Sequence, residues 1–143
     1  MNEKLFYILN LTWGLPMNIV GAIVALVLIC TKHRPTVHGG CLCFEVGKGW
    51  GGVSFGLFML VSKTSGTHTR NHEFGHAIQN ARYGIAHVGL SLASAVRYHW
   101  RNFQIKRNPL VELPPYDAFW FEGQATELGE KYIKYFEGKE DED

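Results

Sequence analysis

The chain is organised around the stretch THTRNHEFGHAIQNARYG at residues 67–84. Residue types that commonly cap helices cluster between Thr67 and Asn71. Gly84 suits the left-handed position that often follows the end of a helix. These start and stop signals predict one helix across the stretch, with the pattern H-E-x-x-H in its middle.

This pattern, from His72 to His76, brings two imidazoles to one face of the helix about one turn apart. Two side chains so placed can meet one zinc ion at ~2.0–2.1 Å. Glu73 follows the first histidine and is expected to reach a water on the metal rather than the metal itself. Because zinc lowers the pKa of such a water to about 7, Glu73 could serve as a general base. Chance clustering on an amphipathic helix stays open until a third ligand is found.

Glu122 is the best candidate for that third ligand, since a catalytic zinc site takes three protein ligands and keeps one position open. It lies in FWFEGQATELG at residues 119–129, whose E-G-x-A context is similar to the gluzincin pattern. Glu127 and Asp117 are the fallbacks. The chain has no His-x-x-Gly-x-x-His continuation after His76, which excludes a metzincin.

An apolar segment precedes the motif and predicts a membrane anchor within residues 1–34. Residues 11–30, LTWGLPMNIVGAIVALVLIC, carry no charge and are about long enough to cross ~30 Å of hydrocarbon as a helix. Pro16 and Asn18 weaken its first third, so a buried core helix or a signal peptide remains an alternative. No small-residue cleavage site follows, which favours an uncleaved span. A glycosylation sequon at Asn10 is interpreted as incidental.

Charge and cysteine content bear on the compartment. Lys32 and Arg34 outnumber Lys4 on the other side of the apolar segment, so the positive-inside bias predicts a cytoplasmic metal site. Three cysteines, including the pair Cys41 and Cys43, are an odd number and predict reduced thiols. The net charge of +1 gives no field that would attract nucleic acid.

Residues 37–62 alternate in a strand-like way around a glycine-rich stretch, which predicts an antiparallel hairpin. The run from Val53 to Val61 is expected to form one strand with its odd-numbered side chains on a shared face. Such a strand before the motif helix could pair with an extended substrate, although a core strand is equally compatible.

The segment at residues 84–96 is apolar but too short to span a bilayer comfortably, so it predicts a core, re-entrant or interfacial segment. Four cations interleaved with aromatic residues follow it, at Arg97, Arg101, Lys106 and Arg107, and favour a membrane-interface belt over nucleic-acid binding. Prolines then precede a last helix over residues 118–136 and an acidic tail over residues 140–143.

From the apolar segment onward, the chain resembles a set of small bacterial membrane-associated HExxH proteins of the gluzincin type. The likeness covers residues 51–58 (GGVSFGLF), residues 63–79 with the motif, residues 84–96, and the aromatic run before Glu122. It implies zinc ligation by His72, His76 and Glu122, with Glu73 as base, and it allows a second membrane span at 84–96. The set tends to carry Asp or Asn where Thr126 stands, so the hydrogen bond to a ligand histidine would differ here.

A peptidase also needs a donor for the developing oxyanion, and Tyr116 is the first choice. His99 and Arg97 are alternatives. Gln79 and Thr126 are expected to hydrogen-bond a ligand, and His87 is interpreted as an interior histidine.

Together these features predict an α+β, zincin-like fold: an N-terminal membrane helix, a small antiparallel sheet, the motif helix and a closing C-terminal helix. Residues 35–143 would form the metallopeptidase domain, with a peptide or protein as substrate and membrane lipid as a further partner. The alternative function is a non-catalytic membrane protein with a structural zinc site. A fourth protein ligand, from His68, Glu127 or a cysteine, would favour that alternative.

Overall fold

The computed structural model describes residues 1–138, and the predicted acidic tail at residues 140–143 lies outside them. Five α-helices and a four-stranded sheet form the described part of the chain, which confirms the α+β class. In chain order the elements are α1 (Glu3–Leu11), α2 (Leu15–Cys30), β1 (Thr36–His38), β2 (Cys41–Glu45), β3 (Gly52–Phe55), β4 (Phe58–Val61), α3 (Thr67–Tyr83), α4 (Ile85–Arg107) and α5 (Trp120–Glu137).

The sheet is mixed, with the order β1-β2-β4-β3, so the predicted antiparallel sheet is wrong in one pairing. β2 pairs with β4 in parallel, while β1–β2 and β3–β4 are antiparallel. The glycine-rich stretch therefore does not close a hairpin between its two flanking strands. It carries the chain across to the far edge of the sheet, where β3 begins.

The predicted continuous strand from Val53 to Val61 is also wrong, because the chain reverses at Gly56. Gly56 has φ of 68°, a left-handed conformation that glycine adopts without a steric penalty, so β3 turns directly into β4. The reversal puts Ser54 opposite Met59, and both are buried. Val53 and Phe55 therefore do not share the face of Met59.

The apolar segment at residues 11–30 is divided between two helices that meet at an angle of 86°. Pro16 lies at the start of α2 and has no N–H to continue the hydrogen-bond ladder of α1. Asn18 and Asn80 bind the carbonyl of Gly14 at the bend, at 3.1 and 3.0 Å. Among residues 1–138, no single helix is long and apolar enough to cross a membrane, and the bent pair α1 and α2 passes that test by length and composition alone.

The N-terminal segment shares the core of the motif helix. Phe6 is fully buried beside Phe74 of α3, with ring centroids 5.9 Å apart. Asn10 is also fully buried, and its amide donates to the carbonyl of Ala77 at 3.3 Å. A side chain enclosed in this way is inaccessible in the folded chain, in agreement with the interpretation of the sequon as incidental.

The predicted motif helix is confirmed as α3 and the closing helix as α5, and the two pack closely through small residues. A Cβ on Gly75 would lie 1.7 Å from the carbonyl oxygen of Ala125, and a Cβ on Gly129 would lie 1.8 Å from that of Asn71. Only glycine permits so close an approach of the two backbones. This crossing determines how near α5 comes to the H-E-x-x-H face of α3.

The segment at residues 84–96 is the first half of a longer helix, α4, which continues through the basic and aromatic region to Arg107. Arg97 and Arg101 donate to backbone carbonyls of the proline-containing loop that follows α4, at Tyr116, Pro115 and Pro114. The two arginines therefore hold this loop against α4, upstream of α5.

Candidate metal centre

Three predicted ligands converge where α3 crosses α5. Glu122 Oε2 lies 3.0 Å from His72 Nε2 and 3.3 Å from His76 Nε2, and the three ligand atoms lie within 4.8 Å of one another. Ligand atoms that each sit ~2.0–2.1 Å from one ion in tetrahedral geometry are about 3.3 Å apart. The spacing and the donor set of two imidazole nitrogens and one carboxylate oxygen both fit a divalent metal ion such as zinc.

The Nδ1 atoms of both histidines, which do not face Glu122, lie next to oxygen acceptors. His72 Nδ1 lies 2.9 Å from Thr126 Oγ1, and His76 Nδ1 lies 2.7 Å from Gln79 Oε1. The side-chain nitrogen of Gln79 donates to the carbonyl of Phe121 at 2.7 Å. This hydrogen bond orients the amide so that the side-chain oxygen of Gln79 faces His76. A histidine that donates from Nδ1 keeps the lone pair of Nε2 free for a metal. Gln79 and Thr126 thus have the supporting contacts predicted for them.

Thr126 stands where the similar HExxH proteins tend to carry Asp or Asn, and its hydroxyl oxygen lies 2.9 Å from His72 Nδ1. We expect Thr126→Val, which keeps the shape but removes the acceptor, to weaken zinc affinity about 10- to 100-fold. Thr126→Ser retains the hydroxyl and should stay close to wild type. Competition with a chromogenic chelator measures both affinities, and equal affinity of the valine variant would show that this hydrogen bond does not orient His72.

Glu122 is buried and ionised between the two histidines. Its second carboxylate oxygen accepts a hydrogen bond from Ser94 Oγ of α4. Burial works to raise the pKa of Glu122, but the hydrogen bonds with His72 and His76 outweigh it and hold the pKa well below its ordinary value. For His76, burial works to lower the pKa, while the hydrogen bond to Glu122 and the charge of Glu73 raise it. The Glu122 carboxylate is therefore ionised and suited to a position beside a positive charge.

Glu73 lies beside the ligands without joining them. Its side chain is only 4% exposed, and Oε2 has no hydrogen-bond partner among residues 1–138. A Cβ on Gly52 would lie 2.9 Å from Oε1, so the carboxylate rests against the backbone of β3. Burial raises the pKa of Glu73 more than the nearby histidines lower it. A buried carboxylate with a free oxygen and a raised pKa suits proton abstraction from water.

A cleft of about 660 Å³ opens over the three ligands and Glu73. One wall is β3, the end strand of the sheet, and the other includes Ser91, Ala95 and Tyr98 of α4. Tyr116 and Phe121 also line the cleft. The candidate metal centre is therefore open to molecules larger than water.

Tyr116 belongs to a short 3₁₀ turn, Tyr116–Ala118, that precedes α5. Burial raises the pKa of its phenol to about 12, so the hydroxyl keeps its proton and can donate a hydrogen bond at neutral pH. Arg97 donates to the carbonyl of Tyr116 at 2.6 Å, and its guanidinium lies 5.4 Å from the centre of the Tyr116 ring. Arg97 is thus committed to positioning this loop, whereas Tyr116 and His99 face the cleft.

The remaining candidates lie apart from the three-ligand group found within residues 1–138. Glu127 is exposed, and Asp117 lines the cleft without approaching the histidines. His68 is 73% exposed and pairs with Glu130 at 3.6 Å. Cys41 and Cys43 are buried in the hydrophobic core beneath the sheet, and Cys30 is exposed on α2.

His87 is interior, as predicted, and packs behind His76 with ring centroids 6.1 Å apart. Burial lowers its pKa to about 3, so it is neutral at physiological pH. Its Nε2 has no hydrogen-bond partner among residues 1–138, so it is not the satisfied polar group that an interior histidine usually is.

Sequence reasoning missed two features of this site. Ser94 reaches Glu122 only because α4 folds back beside α5, and no local signal in the sequence marks that contact. The glycines of the α3–α5 crossing were also missed, although α5 carries a signal: Ala125 and Gly129 are small residues four apart, a pattern typical of close helix packing.

Comparison of the chain with models of known protein families, with curated proteins and with solved structures found no match. The interpretation of the site therefore depends on its own geometry.

Proposed function

We propose that this chain is a metal-dependent hydrolase. The observation that carries the proposal is a buried set of two imidazoles and one carboxylate that leaves one side of a metal open to the cleft, next to the free carboxylate oxygen of Glu73. Within that class, the H-E-x-x-H helix with a glutamate from a later helix favours a zinc metallopeptidase of the gluzincin type, with a zincin-like arrangement of the two helices.

In this proposal His72, His76 and Glu122 hold zinc, which when bound would polarise a substrate carbonyl and acidify water. Glu73 removes a proton from the attacking water and later delivers it to the leaving amine. Tyr116 donates a hydrogen bond to the carbonyl oxygen of the substrate, which becomes negatively charged when water attacks. Glu122 would stay ionised, since the charge of the ion favours the carboxylate and Ser94 donates to its second oxygen.

The edge of the sheet supports a peptide as substrate. The amide of Ser62 donates to the carbonyl of Gly51 at 3.0 Å, so Gly51 and Val53 use their backbone groups within the sheet. In an antiparallel pair the alternate residues, Gly52 and Ser54, then direct their backbone groups away from β4. An extended peptide could pair with this edge and pass over the ligands.

The rival function, a structural zinc site, would require a fourth protein ligand. Among residues 1–138 the ligand group contains three side chains, and His68, the nearest additional histidine along α3, pairs with Glu130 instead. A structural site also provides no reason for a buried carboxylate with a free oxygen beside it. Both observations favour hydrolysis.

The test is the zinc content of purified protein, measured by elemental analysis. We expect one zinc ion per chain in wild type and almost none in Glu122→Ala or His76→Ala, because each removes one of three ligands. Glu127→Ala, which removes an exposed carboxylate from the same helix, is the matched control and should retain zinc. Zinc retained without Glu122, or absent from wild type, would contradict the assigned site.

A further inference from the structure

Helix α4 exposes a stripe of large apolar side chains that nothing in the described chain covers. Only His87 and Ser94 are buried along the helix, whereas Leu92 is 64% and Val96 69% exposed. The stripe consists of Ile85, Leu92, Val96, Trp100 and Phe103. Spacings of seven, four and three residues put these side chains on one face of the helix.

The opposite face of α4 belongs to the cleft. Ser91, Ser94 and Tyr98 line it, and they lie roughly half a turn around the helix from Leu92 and Val96, while His99 lines the cleft from the border of the stripe. None of the five stripe residues lines the cleft, so substrate bound there would leave the stripe uncovered.

Helix α2 adds a second exposed apolar face next to the first. It packs on the sheet through Asn18 and Gly21, and its other side exposes a group of aliphatic residues at 46–63%. These are Ile19, Val20, Ile23, Leu26, Val27 and Ile29. α2 and α4 contact each other, and both start at one junction, where Trp13 packs on Gly84. We call these two exposed apolar faces the α2–α4 surface.

The charges at the carboxyl ends of α2 and α4 are mostly positive. Between Glu3 and Glu112 the only acidic residues are Glu45, which pairs with Arg70, and the buried Glu73. Each helix has cations at its carboxyl end. Lys32 and Arg34 follow α2, and Lys106 and Arg107 lie in the last turn of α4. Glu112, in the loop after α4, is also exposed, and the other exposed acids include Glu127, Glu130 and Glu137 of α5. A partner for this surface should therefore be apolar within and anionic at its boundary.

We propose that the α2–α4 surface docks on the leaflet of an anionic lipid bilayer, with the helices lying in the interface. A helix with one apolar face, basic residues and tryptophan is typical of interfacial insertion, in which the apolar face enters the acyl region and the cations meet lipid phosphates. The same surface of a second copy would present no anionic groups to these cations, whereas lipid phosphates do. The metal cleft, on the opposite face of α4, would remain open to the aqueous side.

The test is flotation of full-length, zinc-loaded protein with phosphatidylglycerol–phosphatidylcholine vesicles, compared with pure phosphatidylcholine vesicles. Two double variants, Leu92→Ser with Val96→Ser and Ile23→Ser with Leu26→Ser, should each lower vesicle affinity at least about 10-fold. The matched control combines Val37→Ser and Leu110→Ser, two apolar residues that are 71% and 89% exposed outside the surface, and should bind as wild type does. Anionic vesicles should bind more tightly than neutral ones, and salt should reduce the difference.

Sedimentation of the same proteins without lipid tests the alternative that the surface binds a second copy of the chain. If the two double variants convert a dimer into a monomer and vesicle binding is unchanged, the surface joins copies of the chain and the proposal is wrong. Failure of wild type to bind anionic vesicles also overturns it. Zinc content and near-UV circular dichroism establish that each variant is folded, and the vesicle result does not depend on catalysis.

Discussion

Replacement of Glu73 by glutamine is expected to slow peptide hydrolysis about 10²- to 10⁴-fold, the usual contribution of a general base. Glutamine keeps the size and shape of the side chain but has no basic oxygen for the proton of the attacking water. His72, His76 and Glu122 are untouched, so one zinc ion per chain should remain. Burial already opposes ionisation of Glu73, so the variant should fold at least as stably as wild type.

A quenched fluorescent peptide library and denatured casein provide substrates for this measurement, with zinc content determined on the same samples. Glu127→Gln, on the exposed side of α5, is the matched control and should retain full activity. Loss of zinc from Glu73→Gln would make Glu73 a ligand. Unchanged hydrolysis would remove it as the base, and the absence of any hydrolysis by wild type would favour the structural zinc site.

Substitution of either crossing glycine by alanine, Gly75→Ala or Gly129→Ala, should disrupt both the stability of the chain and its metal site. Each new Cβ would lie less than 2 Å from a backbone carbonyl oxygen of the facing helix. Because backbone cannot rotate aside as a side chain can, α5 must move away from α3. We expect a loss of at least ~1–3 kcal/mol in the free energy of unfolding. Glu122 should then withdraw from the two histidines, and zinc affinity should fall about 10-fold or more.

Gly89→Ala is the matched control for this prediction. Gly89 also lies inside a helix, but a Cβ there meets nothing within 4 Å, so alanine should stabilise α4 by ~0.5–1 kcal/mol. Urea unfolding of the metal-free proteins and zinc titration of the folded ones measure the two effects. If Gly129→Ala keeps wild-type stability and affinity, then close approach of α3 and α5 is not what places Glu122.

The part of the site that depends on local geometry was predictable. His72 and His76 lie one turn apart on any helix, and the helix begins at Thr67 and ends before Gly84 as predicted, although Gly66 and not a side chain of residues 67–71 caps its start. Glu122 was identified from its E-G-x-A context, and the structure brings it to the two histidines. Tyr116 was chosen from its place before Glu122, and it lines the same cleft.

The sheet and the apolar segment were less predictable, because their outcome depends on competition between distant groups. A run such as 53–61 alternates equally well as one strand or as a tight hairpin, and the turn at Gly56 is stabilised by Asn18, whose Oδ1 accepts from the amide of Leu57 at 2.7 Å. The same Asn18 donates to carbonyls at the bend between α1 and α2. Asn18 therefore affects the turn and the bend through hydrogen bonds that cannot be predicted from the spacing of residues in the sequence.

The sequence by itself determined the H-E-x-x-H face of α3, the position of α5 and the α+β class, since each follows from residue spacing and from the glycines and prolines that bound the segments. Only the tertiary structure decided the parallel pairing of β2 with β4, the bend before α2, and the contact of Ser94 with Glu122. Those features arise where helices and strands far apart in the chain bury their surfaces together. Their energies depend on which surfaces meet, and a local pattern specifies the surface but not its partner.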